Sequence, residues 1–293
     1  MMRPEIRKQG TVDCDMVETT PVVHRGELYR FEYVRPGYWN NETGNSYFRF
    51  VHVNSGRLSP PFAHGYHLGN VMAEGDTLVV TATDVWDGER IDLFISRDME
   101  HWERRSALHL PGYGLFNTSM CKARDRYVLM FEVGKPTEVA GVRFTARFAE
   151  SADLHTWTLT PPECVYSRDR YTAPHCLRYL EPYFYNFYLE ALPGRWEQYV
   201  VRSRDLVEWE VSPRNPVLAS AEEDRRLLNT SLPQDLKDRI RSAENINNSD
   251  IDFCEYDGRL VITYSWGNQS GVEHLAQAEY DGSEADFLRG WFD

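Results

Sequence analysis

Five apolar hairpins run through this chain, and the residue eight positions before each hairpin turn is Glu18, His67, Asn117, Ala173 and Asp250 in order. Four of these five are polar at the head of an otherwise apolar strand, a placement that desolvation disfavours unless the group has work to do. Thr19, Thr118, His175, Asn248 and Asp252 lie close to the same heads. Carboxylates delivered by separate strands suit glycosidic bond cleavage. One carboxylic acid protonates the leaving oxygen while a second activates water or attacks the anomeric carbon, about 5–5.5 Å away in a retaining site and about 6.5–9.5 Å away in an inverting one. The acid must titrate high, which burial or a neighbouring carboxylate supplies.

On this pattern Glu18 is the expected base. Asp250 is expected as its pKa modulator or, failing a better donor, as the acid. Glu190 is the fallback acid. It belongs to a second set, Glu32, Asp84, Glu132 and Glu190, at the ends of the second strands, where pairing with nearby arginines is the commoner use of a carboxylate. His67, Asn117, His175, Asn248, Trp266 and Trp39 are the expected substrate contacts, because amides bond paired hydroxyls and an indole face covers the apolar side of a sugar ring. For Trp266 the competing role is packing that closes the fold.

The elements that must position these residues are legible as a repeat. Ser96-Arg97-Asp98-Met99-Glu100-His101-Trp102, Ser151-Ala152-Asp153-Leu154-His155-Thr156-Trp157 and Ser203-Arg204-Asp205-Leu206-Val207-Glu208-Trp209 share Ser-x-Asp-[Leu/Met]-x-x-Trp at intervals of 55 and 52 residues. Ser and Asp bond nearby backbone N–H groups in turns, and the Trp anchors the following strand. The five hairpins turn at Arg25-Gly26, Gly75-Asp76, Arg124-Asp125, Glu181-Pro182 and Asp257-Gly258. Asp-Gly and Gly-containing turns between alternating apolar residues mark hairpins. Five such units predict an all-β fold, a five-bladed β-propeller of four-stranded sheets spanning residues 1–293 as one domain. Closure of that ring sets the first and fifth units, and so Glu18 and Asp250, side by side.

One charged stretch, residues 220–243, breaks the strand pattern. Ser220-x-x-Glu223 and Ser231-x-x-Gln234 read as capping boxes, so two short helices are expected between the fourth and fifth units.

Composition narrows the partners. Aromatic residues are 13% of the chain, which suits strands and ring stacking. The net charge of −13 repels phosphate backbones and anionic headgroups, so neither nucleic acid nor a membrane surface is an expected partner. No run of 18 apolar residues exists to span a bilayer. The first fifteen residues lack the apolar core of a secretory signal, and five scattered cysteines without a C-x-x-C pair read as reduced thiols. A cytoplasmic protein with a small carbohydrate substrate and no zinc site is therefore expected. A structural calcium ion at the axis is the one cofactor left open.

The Ser-x-Asp-Leu-x-x-Trp turns, with Glu18 shortly before a proline in Val17-Glu18-Thr19-Thr20-Pro21, resemble the five-bladed glycoside hydrolases: family 43, its fructan-acting relatives and the neoagarooligosaccharide hydrolases. An exo-acting glycosidase on a small oligosaccharide is expected, and an inverting one because blades deliver carboxylates across a channel at the larger separation. The resemblance implies a base in the first inner strand, an Asp in those families, at the position of Glu18. Family 43 places a Glu acid before a proline in the fourth inner strand, where this chain has Tyr171-Thr172-Ala173-Pro174-His175 and no carboxylate. The neoagarooligosaccharide enzymes imply a His acid, for which His175 or His67 are the candidates. Two alternatives stand beside hydrolysis: phosphorolysis, as in five-bladed mannoside phosphorylases, which needs cations for phosphate, and a non-catalytic sugar-binding propeller.

Overall fold

The computed structural model describes residues 3–37 and 44–293. Its strands form five blades around one axis. Blade 1 holds Thr20–His24, Glu27–Val34 and Tyr47–His52; blade 2 holds His67–Glu74, Thr77–Thr83, Arg90–Ser96 and Glu103–His109. Blade 3 is Gly114–Ala123, Arg126–Lys135 and Thr145–Ser151, with two short outer pieces, Thr158–Leu159 and Val165–Tyr166. Blade 4 is His175–Leu180, Tyr183–Leu192, Arg195–Ser203 and Trp209–Val211. Blade 5 is Asn247–Tyr256, Arg259–Gly267 and Glu273–Tyr280. Its fourth strand comes from the other end of the chain: Arg7–Cys14 pairs antiparallel with Glu273–Tyr280. The first strand of every blade lies innermost, and neighbouring inner strands touch in order until Asn247–Tyr256 meets Thr20–His24.

The five hairpin turns fall where the sequence places them. Each Ser-x-Asp turn is built alike. The Ser oxygen accepts the N–H groups two and three residues on, at 3.2 and 2.9 Å for Ser96, and the Asp Oδ1 accepts the next pair, at 2.9 and 2.8 Å for Asp98. Ser151/Asp153 and Ser203/Asp205 repeat the arrangement. With these bonds in place Met99, Leu154 and Leu206 hold left-handed φ values of 63°, 61° and 66° and are buried as plugs. Trp102 then stacks on Phe62 at 3.9 Å between centroids.

Two expectations about this architecture need correction. Among the described residues blade 1 has three strands, its outer edge carrying the isolated bridges Phe48–Phe62 and Val51–Leu58. The insertion holds two short helical segments as expected, the 3-10 turn Glu222–Arg225 and the α-helix Gln234–Ser242, but Ala221 and Pro233 stand at their N-caps in place of the serines. Ser231 instead donates its hydroxyl to Asn229 Oδ1 at 2.6 Å. The insertion packs on the closing strand, where the Thr11 N–H donates to Arg226 O at 2.7 Å and Thr11 O accepts the Leu228 N–H at 3.0 Å.

Candidate active site

A cavity of about 480 Å³ opens on the axis at the heads of the inner strands. Glu18, Leu68, Asn117, Ala173 and Asp250 line it, one from each blade. The backbone is distorted at most of these heads. Glu18, Leu68 and Asp250 have φ values of 55°, 54° and 53°. Pairing in blades 2, 3 and 5 jumps past Leu68, Asn117 and Asp250, so each sits in a β-bulge. A bulge re-aims a side chain that the pleat would send elsewhere, and such strain gathers at functional sites.

Glu18 and Asp250 meet this cavity from adjacent blades. Burial is the main force on both, and each raises the other or is raised by nearby carboxylates. Glu18 is pushed up to about 7, with the Arg35 guanidinium at 3.7 Å pulling the other way and Asp250 adding to the rise. Asp250 is pushed up to about 6 by burial against a hydrogen bond from Ser249. Glu18 Oε2 is buried without a hydrogen-bond partner. Arg35 also donates to Tyr33 Oη at 3.2 Å, and that oxygen meets His67 Nδ1 at 2.5 Å.

Behind Asp250 lies a directed chain of donors. The Asn247 amide donates to Ser249 Oγ at 2.9 Å and to the Glu273 carboxyl at 3.1 Å. Ser249 donates its proton to Asp250 Oδ2 at 2.6 Å. Glu273 also accepts from the Gln269 N–H at 2.8 Å. Burial, with Asp250 beside it, raises Glu273 to about 8, so it stays a neutral acid at pH 7.

Beneath the cavity the axis narrows to a pore of about 40 Å³. Its acid, Asp252, is fully engaged: Oδ2 accepts from Thr20 and Asn70 at 2.8 Å each, and Oδ1 pairs with Arg178 and accepts the Phe253 N–H at 2.8 Å. Beside the pore His175 Nδ1 meets Glu132 at 2.8 Å and Nε2 meets Thr172 at 3.0 Å, while the Asn117 amide donates to Glu132 at 3.0 Å. Burial raises the Glu132 carboxyl above its ordinary value. Among the described residues no group of three or more His, Cys, Asp and Glu is arranged to hold a metal ion. A calcium ion fits the axis poorly, because the Arg178 guanidinium already occupies the Asp252 carboxylate.

The remaining expected site residues divide by position. Glu190 is away from the cavity wall, gripped by the Arg170 guanidinium at 3.1 Å, because its strand turns that face toward Tyr166 and Tyr188. His67 is fully buried one residue short of the lining Leu68, since the bulge shifts the register by one; burial and the Arg35 cation push it down to about 4, so it is neutral. His175 lines the pore below the cavity. Asn248 is buried toward Lys8 Nζ at 2.6 Å and Asp224 at 3.2 Å, on the closure side. Trp266 is also part of the closure: it has no exposed surface and donates Nε1–H to Thr11 Oγ1 of the N-terminal strand at 2.9 Å. The amide-rich segment around it reaches the cavity through Gln269 instead. Trp39 lies outside the described residues. Sequence reasoning missed Arg35, Trp86, Phe144, Tyr171 and Trp196 on the cavity wall, and Glu273 behind it. Glu273 had no local signal, being one acid at the start of a strand whose first four residues are all buried.

No family model matches this chain, and no curated protein matches it. Solved structures do. The catalytic domain of the Coprinopsis cinerea GH62 alpha-L-arabinofuranosidase superposes with a TM-score of 0.64 at 8% identity, covering 95% of this chain and 94% of that one. The Podospora anserina alpha-L-arabinofuranosidase solved with cellotriose gives 0.61 at 8% identity over 94% and 92%. A GH43 beta-xylosidase/alpha-arabinofuranosidase from a compost metagenome, solved with xylotriose in a calcium-free form, gives 0.56 at 11% over 94% and 95%. The chain thus has the five-bladed propeller fold of these glycosidases.

Proposed function

We propose that this protein is a glycoside hydrolase, exo-acting and inverting, that works on a small oligosaccharide or glycoside in the axial cavity. The observation that carries the reading is the pair of partly buried carboxyls, Glu18 and Asp250, converging on one cavity and titrating at about 7 and about 6. A coupled pair in that range holds about one proton near neutral pH, so it presents a donor and an acceptor together. Arg35 at 3.7 Å favours the arrangement ionised at Glu18. At rest Glu18 holds the proton more tightly of the two, and the productive arrangement is the one with that proton on Asp250 and Glu18 ionised. Because Ser249 already donates to Oδ2, that proton belongs on Oδ1. Glu18 takes a proton from the attacking water while Asp250 Oδ1 gives one to the leaving oxygen, and the C–O bond breaks between them. The narrow pore blocks passage along the axis, which supports removal of a terminal unit over cleavage within a long chain.

Phosphorolysis is disfavoured by the same geometry. Among the described residues Arg35 is the one cation lining the cavity, and it already faces Glu18. The test is a panel of aryl glycosides assayed with and without phosphate, with the first-formed anomer read by NMR. Release without phosphate and inverted product are expected. Strict phosphate dependence would move the protein to the phosphorylases, a retained anomer would overturn inversion, and silence across the panel would overturn catalysis.

A further inference from the structure

The cavity has two unlike halves. Blades 1 and 5 contribute Glu18, Arg35, Asp250 and Gln269. The facing half, from blades 2 to 4, is a run of rings: Trp86 meets Phe116 at 5.3 Å, Phe116 meets Phe144 at 4.7 Å, and Phe144 meets Tyr171 at 5.8 Å, each nearly perpendicular to the next. Such edge-to-face contacts stiffen the wall. Trp196 continues it on blade 4. Among the described residues the polar groups of this half are few: Asn117, which spends one amide N–H on Glu132 and keeps the other and its Oδ1, the Tyr171 hydroxyl, and the Trp86 and Trp196 indole N–H groups. The Arg143 guanidinium lies over the Phe116 and Phe144 rings at 5.3 and 5.1 Å, is more than half exposed, and does not line the cavity.

A second sugar placed against that wall would bury several hydroxyls with few partners. Each buried hydroxyl left unpaired weakens binding, whereas buried CH₂ groups strengthen it. Resting on the hydrolase reading, we propose that the substrate is a glycoside of an apolar alcohol, aromatic or alicyclic. Its sugar sits on the Glu18–Asp250 side and its aglycone lies on the Trp86–Phe116–Phe144–Tyr171 wall. The bond cleaved then lies at the seam between the halves, and the products are a free sugar and a water-poor alcohol.

Aryl leaving groups react faster on any glycosidase, so the discriminating probes are alkyl. For each sugar in a panel, kcat/KM on the cyclohexyl glycoside is compared with that on the methyl glycoside and on the matching disaccharide. Binding of the cyclohexyl and methyl 1-thioglycosides, which resist cleavage, is followed by tryptophan fluorescence. A cyclohexyl advantage of about tenfold or more in both readouts is expected, the size that a few buried CH₂ groups produce. A disaccharide turned over as well as the cyclohexyl glycoside would overturn this inference and leave the hydrolase reading standing. Tight cyclohexyl thioglycoside binding with no turnover of any glycoside would do the reverse. Failure of every thioglycoside to bind would overturn the aglycone assignment outright.

Discussion

Asp250 and Asp252 stand two residues apart on the innermost strand of blade 5, Asp252 buried and Asp250 partly open to the cavity, and their surroundings differ in kind. Asp252 at the floor has a guanidinium, the Thr20, Asn70 and Cys176 side-chain donors and a backbone N–H, so its charge is fully answered. Asp250 at the cavity has only serine hydroxyls, Ser249 and Ser265, a kinked backbone and a rival carboxyl across the seam. The floor acid ties blades 1, 2, 4 and 5 together. The cavity acid is left wanting a proton. A buried carboxylate is thus structural when its donors are complete and chemically useful when they are not.

The sharpest way to break this comparison is to remove each acid in turn. Glu18→Gln and Asp250→Asn should each lower kcat on the true substrate by roughly 10²–10⁴-fold, the range for a lost general catalyst, with melting temperature unchanged or raised. Near-native turnover in either variant would end its assignment. Asp252→Ala should act the other way round. Leaving the Arg178 guanidinium with only the more distant Glu284 at 3.7 Å, and Thr20 and Asn70 without their acceptor, costs up to about 3–5 kcal/mol, seen as a shifted urea midpoint. If Asp252→Ala melts like the parent, the floor is not the structural centre described here.

Trp266 sharpens the same contrast away from the axis. Trp266→Ala should destabilise by about 3–5 kcal/mol through the void it leaves and the lost bond to Thr11, and folded protein should keep its KM. A changed KM with intact stability would return Trp266 to the sugar site.

Smaller effects concern protons. Ser249→Ala removes the donor that favours ionised Asp250, so Asp250 should titrate higher and the alkaline limb of the kcat profile should move up by about one pH unit. An unmoved limb would show that Ser249 does not act on the reacting acid. Glu273 titrates near 8 when folded and near its ordinary 4.5 when unfolded, so the stability linked to it is full below pH 4.5 and is lost as pH rises through 8. Glu273→Gln should therefore flatten the fall in melting temperature between about pH 4.5 and 8. Parallel curves for the two proteins would refute the raised titration.

Much of the fold and part of the site are legible without coordinates. Local chemistry repeats at regular intervals, so the Ser-x-Asp turns, the five hairpins and the ring they make can be read from residue types alone. The same register reaches Glu18, Asn117, Ala173 and Asp250, which all line the cavity. It misses by one at His67 because a bulge adds a residue that alternation does not announce. Tertiary structure alone decided the rest. It set Glu190 against Arg170, gave Trp266 and Asn248 to the N-terminal strand, and joined Glu273 to Asp250 through Asn247 and Ser249. It also gathered Trp86, Phe144, Tyr171 and Trp196, from separate loops and hairpins, into one wall. The physical reason is range: turns and pleats follow from neighbours in sequence, whereas a carboxyl's charge state depends on which distant donors closure of the ring brings within about 3 Å.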